Sequence, residues 1–161
     1  MRTEWLNEPL GRLPGIGGLS LSNATTNAEW IAFVSRLETA EEDFVQGRPA
    51  SFLALWSHSD DVSLCGGFGG VERGWQNVTD RLTWVSAKYA EGTRSRNEIV
   101  SFVETQFAYI VQTEVIRSRL AGQSELSTLE LRATMIFRRQ SDGWRIVHRH
   151  ADLQTRTRPP Q

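Results

Sequence analysis

Trp30, Phe33, Val34, Leu37 and Phe44 recur at helical spacing. They predict a helix that starts after Thr26 or Asn27, either of which can cap it, and runs to about residue 46. Glu38, Glu41, Glu42 and Asp43 read as its solvated face. Gly47 and Pro49 stop it, and a short second helix carries Phe52, Leu53 and Trp56. A turn at 57–61 leads to a short strand through Val62 and Leu64, which enters the bend Gly66-Gly67-Phe68-Gly69-Gly70. A third helix runs from Gly74 to about Tyr89, with Trp75, Val78, Leu82, Val85 and Tyr89 on one stripe, and Gly92 ends it. Residues 98–106, 108–119, 126–139 and 144–153 read as strands, with turn residues at 122–124 and 140–143. Three helices followed by a mainly antiparallel sheet make an α+β domain over residues 25–155. Pro9, Gly11, Pro14, Gly15, Gly17 and Gly18 mark residues 1–24 as a flexible leader, and residues 156–161 form a polar, Pro-rich tail.

The last hairpin carries the densest candidate chemistry. Alternation puts Trp144, Ile146, His148 and His150 on one face and Arg145, Val147, Arg149 and Ala151 on the other. If 140–143 is the whole turn, Arg139 pairs with Trp144. Phe137, Met135 and Ala133 then join the histidines, while Arg132, Thr134 and Ile136 join Val147 and Arg149. Two polar clusters compete, one per face. His148 and His150 can shuttle protons near neutral pH. Arg132 and Arg149 can grip a carboxylate or phosphate with parallel hydrogen bonds, or pair with Glu114 or Glu130. Asp61, in the turn after Trp56, is a candidate base if an apolar cavity raises its pKa. Trp56, Phe68, Trp75 and Tyr109 are candidate pocket walls.

Arg132-Ala133-Thr134-Met135-Ile136-Phe137-Arg138-Arg139, a turn, then Asp142-Gly143-Trp144-Arg145-Ile146-Val147-His148-Arg149-His150 resembles the terminal hairpin of the SnoaL-like (nuclear-transport-factor-2-like) superfamily. It is also similar to that of the calcium/calmodulin-dependent kinase II association domain. The order of elements matches over about residues 27–155. The resemblance implies a cone-shaped α+β barrel, with a curved, mainly antiparallel sheet wrapped by about three N-terminal helices around a pocket. It implies dimerisation through the sheet and, from the association domain, a pocket on the arginine face. Burial of the Trp144 and Ile146 face would favour the histidines instead. The superfamily contains isomerases, cyclases and dehydratases as well as domains without catalysis, so fold alone names no reaction. The ketosteroid isomerase set needs an Asp base, a Tyr and a protonated Asp. With only Tyr89 and Tyr109 available, that set does not map fully onto this chain.

Composition narrows the partners. The 161 residues suit one domain, and six Trp supply large apolar area. Eighteen basic against 19 acidic residues leave no net field for nucleic acid or an anionic membrane. Cys65 is the lone cysteine, which gives no disulfide or zinc cluster and fits a cytoplasmic setting. The expectation is a cofactor-independent, metal-free homodimer that binds an anionic or carbonyl-bearing small molecule. It acts as an isomerase, cyclase or dehydratase by proton transfer in an apolar pocket. The alternative is a non-catalytic ligand-binding or association domain.

Overall fold

The computed structural model describes residues 21–154, with side chains from residue 26 onward. Helix α1 (Leu21–Val45) begins inside the expected leader, upstream of Thr26 and Asn27. Residues 1–20 of that leader and the tail at 156–161 lie outside the described residues. The inward stripe of α1 is Trp30, Phe33, Leu37, Ala40, Glu41 and Val45, all buried. The helix ends where Gly47 adopts φ +82°, a conformation open to glycine. There the Arg48 N–H donates to the Asp43 carbonyl (3.0 Å) and the Gly47 N–H to the Phe44 carbonyl (3.1 Å), closing a Schellman cap.

Helix α2 (Ala50–Leu53) delivers Trp56 to the sheet, where the Ser57 N–H donates to the Ile146 carbonyl at 2.9 Å. Strands β1 (Ser63–Cys65) and β2 (Val71–Arg73) flank the glycine-rich bend, and helix α3 (Trp75–Ser86) follows. Then come β3 (Tyr89–Val103), β4 (Phe107–Leu120), β5 (Leu126–Gln140) and β6 (Gly143–Leu153). The strand order is β2-β1-β6-β5-β4-β3, antiparallel except for β1 beside β6. β2 and β3 remain as edges, so the curved sheet is open rather than a closed barrel.

Strand β3 starts at Tyr89, not at residue 98. Tyr89 belongs to the strand rather than to the α3 stripe, and Gly92 is a strand residue rather than a stop. The register shifts between Ala90 and Thr93, and there β3 crosses the end of α1. A Cβ on Gly92 would lie 1.8 Å from the Val45 carbonyl oxygen, a backbone atom that cannot swing away. Gly92→Ala is therefore expected to destabilise the protein by about 1–3 kcal/mol. A lowered urea midpoint with unchanged slope would show it, and an unchanged midpoint would refute the tight crossing.

The core has two parts. Trp30 meets Phe137 and Trp144 edge-on, each at 5.1 Å between ring centroids, and fills one end of the concave face. At the other end Val45, Tyr89, Ile116, Leu131, Ala133 and Ala151 form a second cluster, and this one surrounds a cavity.

A bulge in β6 corrects the expected hairpin faces. Arg139 does pair with Trp144, and Phe137 with Ile146. Ile136 then pairs with His148, so Val147 is an extra residue and the side chains beyond it change face. Arg149 and Ala151 thus join Trp144 and Ile146 on the concave face. His148 and His150 turn to the convex face with Ile136 and Thr134, their partners across the ladder.

Candidate functional site

The cavity lies between the concave sheet and the three helices. Together with the open solvent at its mouth the empty space is about 640 Å³, and the centre of a water-sized sphere reaches about 60 Å³. That is room for about four waters, or for a compact ligand. Most of the wall is apolar: Phe44 and Val45 of α1, Phe52 of α2, Leu82 and Val85 of α3, Ile116 of β4, and Leu129 and Leu131 of β5. Gly66, Gly67 and Phe68 form the side contributed by the glycine-rich bend.

Four charges from four elements meet inside this wall. They are Glu41 of α1, Arg94 of β3, Glu114 of β4 and Arg149 of β6. The Glu41 and Glu114 side chains are 6% and 1% exposed, and those of Arg94 and Arg149 are 5% and 12%. Arg149 grips Glu114 with two hydrogen bonds, Nη1 to Oε1 at 2.9 Å and Nη2 to Oε2 at 2.8 Å. Gln112 Nε2 donates a third to Glu114 Oε1 at 2.7 Å. Arg94 Nη2 stands 3.4 Å from Glu114 Oε1 and 2.8 Å from Glu41 Oε2. Its alignment is too poor for a hydrogen bond, and Arg94 Nε is a buried donor with no acceptor among the described residues. Arg149 Nη1 is 3.8 Å from Glu41 Oε1.

The two carboxyls are therefore unlike. Burial pushes Glu114 up, but the charge and hydrogen bonds of Arg149, with Arg94 and Gln112, outweigh it and hold that carboxyl well below the usual range. Burial also pushes Glu41 up. Arg94 pulls it back, Glu114 adds to the rise, and the result is about 7. Tyr89, at the cavity wall, is raised to about 12 by burial, so its hydroxyl stays a donor. A carboxyl that titrates near neutrality, beside cations, in an apolar cavity is suited to taking or giving a proton.

Of the residues singled out in the sequence, the cavity gathers Arg149 and Phe68. Asp61 sits in an exposed turn. Arg138 binds both its oxygens, at 2.7 and 3.1 Å, and Ser59 adds a further bond. Arg138 first, then Ser59, hold its carboxyl well below the usual range, the reverse of a raised-pKa base. Arg132 is 56% exposed and pairs with Asp152 on the convex side rather than with Glu114 or Glu130. Thr134 and His150 pair across the ladder on that same side. His148 Nδ1 is 2.8 Å from Ser63 Oγ. Partial burial and then the charge of His150 lower the His148 pKa. Trp56, 1% exposed, is plain core. Trp75 stacks on His58 at 4.2 Å, away from the cavity. Tyr109 packs beside Phe102 and Phe107 on the long β3–β4 hairpin. Among the described residues no three His, Cys, Asp or Glu side chains converge as metal ligands, and no helix is long and apolar enough to cross a membrane.

In the sequence Glu41 reads as part of a solvated face, Tyr89 as the end of a helical stripe, Glu114 only as a structural partner, and Arg94 carries no signal. Glu41 sits four residues from both Leu37 and Val45, on the buried stripe rather than the solvated face. Glu114 occupies an inward position of the alternation Ala108, Ile110, Gln112, Glu114, Ile116.

No functionally curated protein matches the chain by sequence. Among solved structures it is similar to a nuclear transport factor 2-like superfamily protein from Salmonella enterica serovar Typhimurium. The TM-score is 0.67 at 18% identity, covering 83% of this chain and 94% of that one. It is similar to a ketosteroid isomerase-like protein from Erwinia carotovora atroseptica, with TM-score 0.63 and 11% identity, covering 86% and 100%. It is similar to a hexachlorocyclohexane dehydrochlorinase from Novosphingobium barchaimii, with TM-score 0.64 and 13% identity, covering 85% and 99%. At these identities the likeness is one of fold. The SnoaL-like domain model matches residues 34–153, from α1 through β6, and the chain belongs to the SnoaL-like family.

Proposed function

We propose that this protein is a cofactor-independent small-molecule enzyme that isomerises, cyclises or dehydrates its substrate by proton transfer at Glu41. The observation that carries this reading is the Glu41 carboxyl itself, buried beside Arg94 and Arg149 in a cavity, where burial pushes its pKa up to about 7. A general acid–base works best with a pKa near the operating pH, and burial supplies that tuning here. Arg94 and Arg149 stand where negative charge developing on a substrate oxygen would be stabilised. Tyr89 adds a neutral donor at the wall. The dehydrochlorinase and isomerase-like relatives of the fold are consistent with chemistry that starts by moving a proton. Asp61, His148 and His150 have no part in it, since each lies away from the cavity.

The test is to incubate the protein in D2O with a panel of compact ketones, enones and β-hydroxycarbonyl compounds, both neutral and acidic. C–H exchange, double-bond migration and water loss are followed by NMR. Glu41→Gln is expected to slow the reaction of any substrate about a hundredfold while far-ultraviolet circular dichroism stays unchanged. Equal rates in the variant and the parent would remove Glu41 from the chemistry. Compounds that bind but never react would point to the non-catalytic ligand-binding reading.

A further inference from the structure

The four buried charges sum to zero only when Glu41 is ionised, and they are not equally anchored. Glu114 is locked by Arg149 and Gln112. Glu41 accepts no side-chain hydrogen bond from the described residues and is held by proximity alone, at 2.8 and 3.8 Å. Arg94 Nε is a buried donor with no acceptor among the described residues, and Nη2 meets Glu41 Oε2 at 2.8 Å only at a poor angle. One negative position in the cluster is thus loosely filled, beside a guanidinium whose hydrogen bonds the described residues do not complete, at a cavity open to a compact molecule.

We infer that the cavity binds a short aliphatic monocarboxylate and takes up one proton with it, the ligand's carboxylate replacing that of Glu41 as the fourth charge. This rests on the proposed site and specifies its substrate class. A guanidinium satisfies a carboxylate with two parallel hydrogen bonds, the unmet valence of Arg94. An anion arriving beside ionised Glu41 would give the cluster a net negative charge within an apolar wall. Two carboxylates so placed do not both stay ionised. Glu41 therefore accepts a proton from solvent, and its new O–H can donate to the ligand. The other ionisable groups facing Glu41 do not compete. Arg94, Arg96 and Tyr89 come from β3, Glu114 from β4 and Arg149 from β6. Arg96 is engaged by Glu38, Glu98 and Gln112. Helices α2 and α3 and strand β5 give the cavity only apolar side chains. With a carboxylate bound, Glu41 enters the reaction as a proton donor.

Calorimetric titration of the full chain with isobutyrate, in HEPES and in Tris, tests this, because the difference in heat between the buffers counts protons taken up. Uptake is expected to be about 0.9 proton per ligand at pH 8 and about 0.1 at pH 6, with Kd rising about tenfold per pH unit above 7. Glu41→Gln should bind isobutyrate at pH 8 at least as tightly as the parent, with uptake near zero. Arg94→Gln, checked for its fold by circular dichroism, should lose isobutyrate binding. The neutral isostere isobutyramide should show no proton uptake. Isobutyrate binding without proton uptake, uptake that persists in Glu41→Gln, or no isobutyrate binding would each overturn the inference. None of these results alters the turnover test above, which includes neutral substrates and reads reaction rather than binding.

Discussion

Glu114→Ala is expected to destabilise the protein by about 3–5 kcal/mol, the range for removing one partner of a buried ion pair. The variant strands Arg149 without its two hydrogen bonds and Arg94 without the second of its two carboxylate neighbours, in a wall that is otherwise apolar. Gln112 also loses the acceptor of its 2.7 Å bond. Part of the loss is relieved, because Glu114 is one of the groups that push the Glu41 pKa up, and its removal lets Glu41 ionise more readily. The penalty belongs to the orphaned charge and not to an intrinsic strength of the pair. A double variant, Glu114→Leu with Arg149→Met, should therefore recover most of what the single variant loses. It leaves Arg94 and Glu41 as a self-balanced pair. Urea unfolding of the parent, Glu114→Leu, Arg149→Met and the double variant gives the coupling energy. A double variant as unstable as the sum of the singles would mean that Glu114 and Arg149 are not coupled.

How this cluster hides in the sequence is instructive. The fold was legible because periodicity reports burial of apolar residues. The Trp30, Phe33 and Leu37 stripe, the glycine break at 47 and four long strands are all present in the structure, although the first strand begins at Tyr89 rather than at residue 98. The site was not legible, because its members are polar residues at apolar positions. Among acidic neighbours, Glu41 reads as part of a solvated face. Only its spacing from Leu37 and Val45 marks it as inward, and a charge on a buried stripe is itself the signal. Arg94 escaped for a different reason. Gly92 reads as a stop, although it is the residue that lets β3 pass α1, and this hides the inward positions of early β3. On the last hairpin a bulge interrupts the alternation. No residue type at Val147 announces the extra position, and one insertion exchanges the histidines for Arg149 on the concave face. Arg149 lines the cavity, but Arg132 and Thr134, expected beside it, lie on the opposite face.

The parent protein is expected to lose stability between pH 5 and pH 8 relative to Glu41→Gln, by about 2–3 kcal/mol. Glu41 has an ordinary value of 4.5 and a folded value of about 7. Between these pH values the native state binds more protons than the unfolded chain, so unfolding becomes easier as pH rises. The contribution is fully present below 4.5 and is lost as pH climbs through 7. Glutamine has the shape of the protonated acid and cannot ionise, so the variant resembles the parent at pH 5 and exceeds it at pH 8. Other titrating groups are common to both proteins. Glu114 and Asp61, with lowered pKa values, add stability that disappears only in acid below the ordinary carboxyl range. His148, also lowered, adds stability as pH rises toward its ordinary 6.5. These contributions cancel when the two proteins are compared at each pH. Parallel urea midpoints at pH 5, 6, 7 and 8 would therefore isolate Glu41. A gap that widens with pH would show a buried acid poised to change charge near neutrality, which proton transfer and proton-coupled ligand uptake both require. A constant gap would mean that Glu41 is ionised throughout, held by Arg94 and Arg149 as a structural pair. The cavity would then lose its acid–base group, leaving a charge-neutral pocket suited to binding alone.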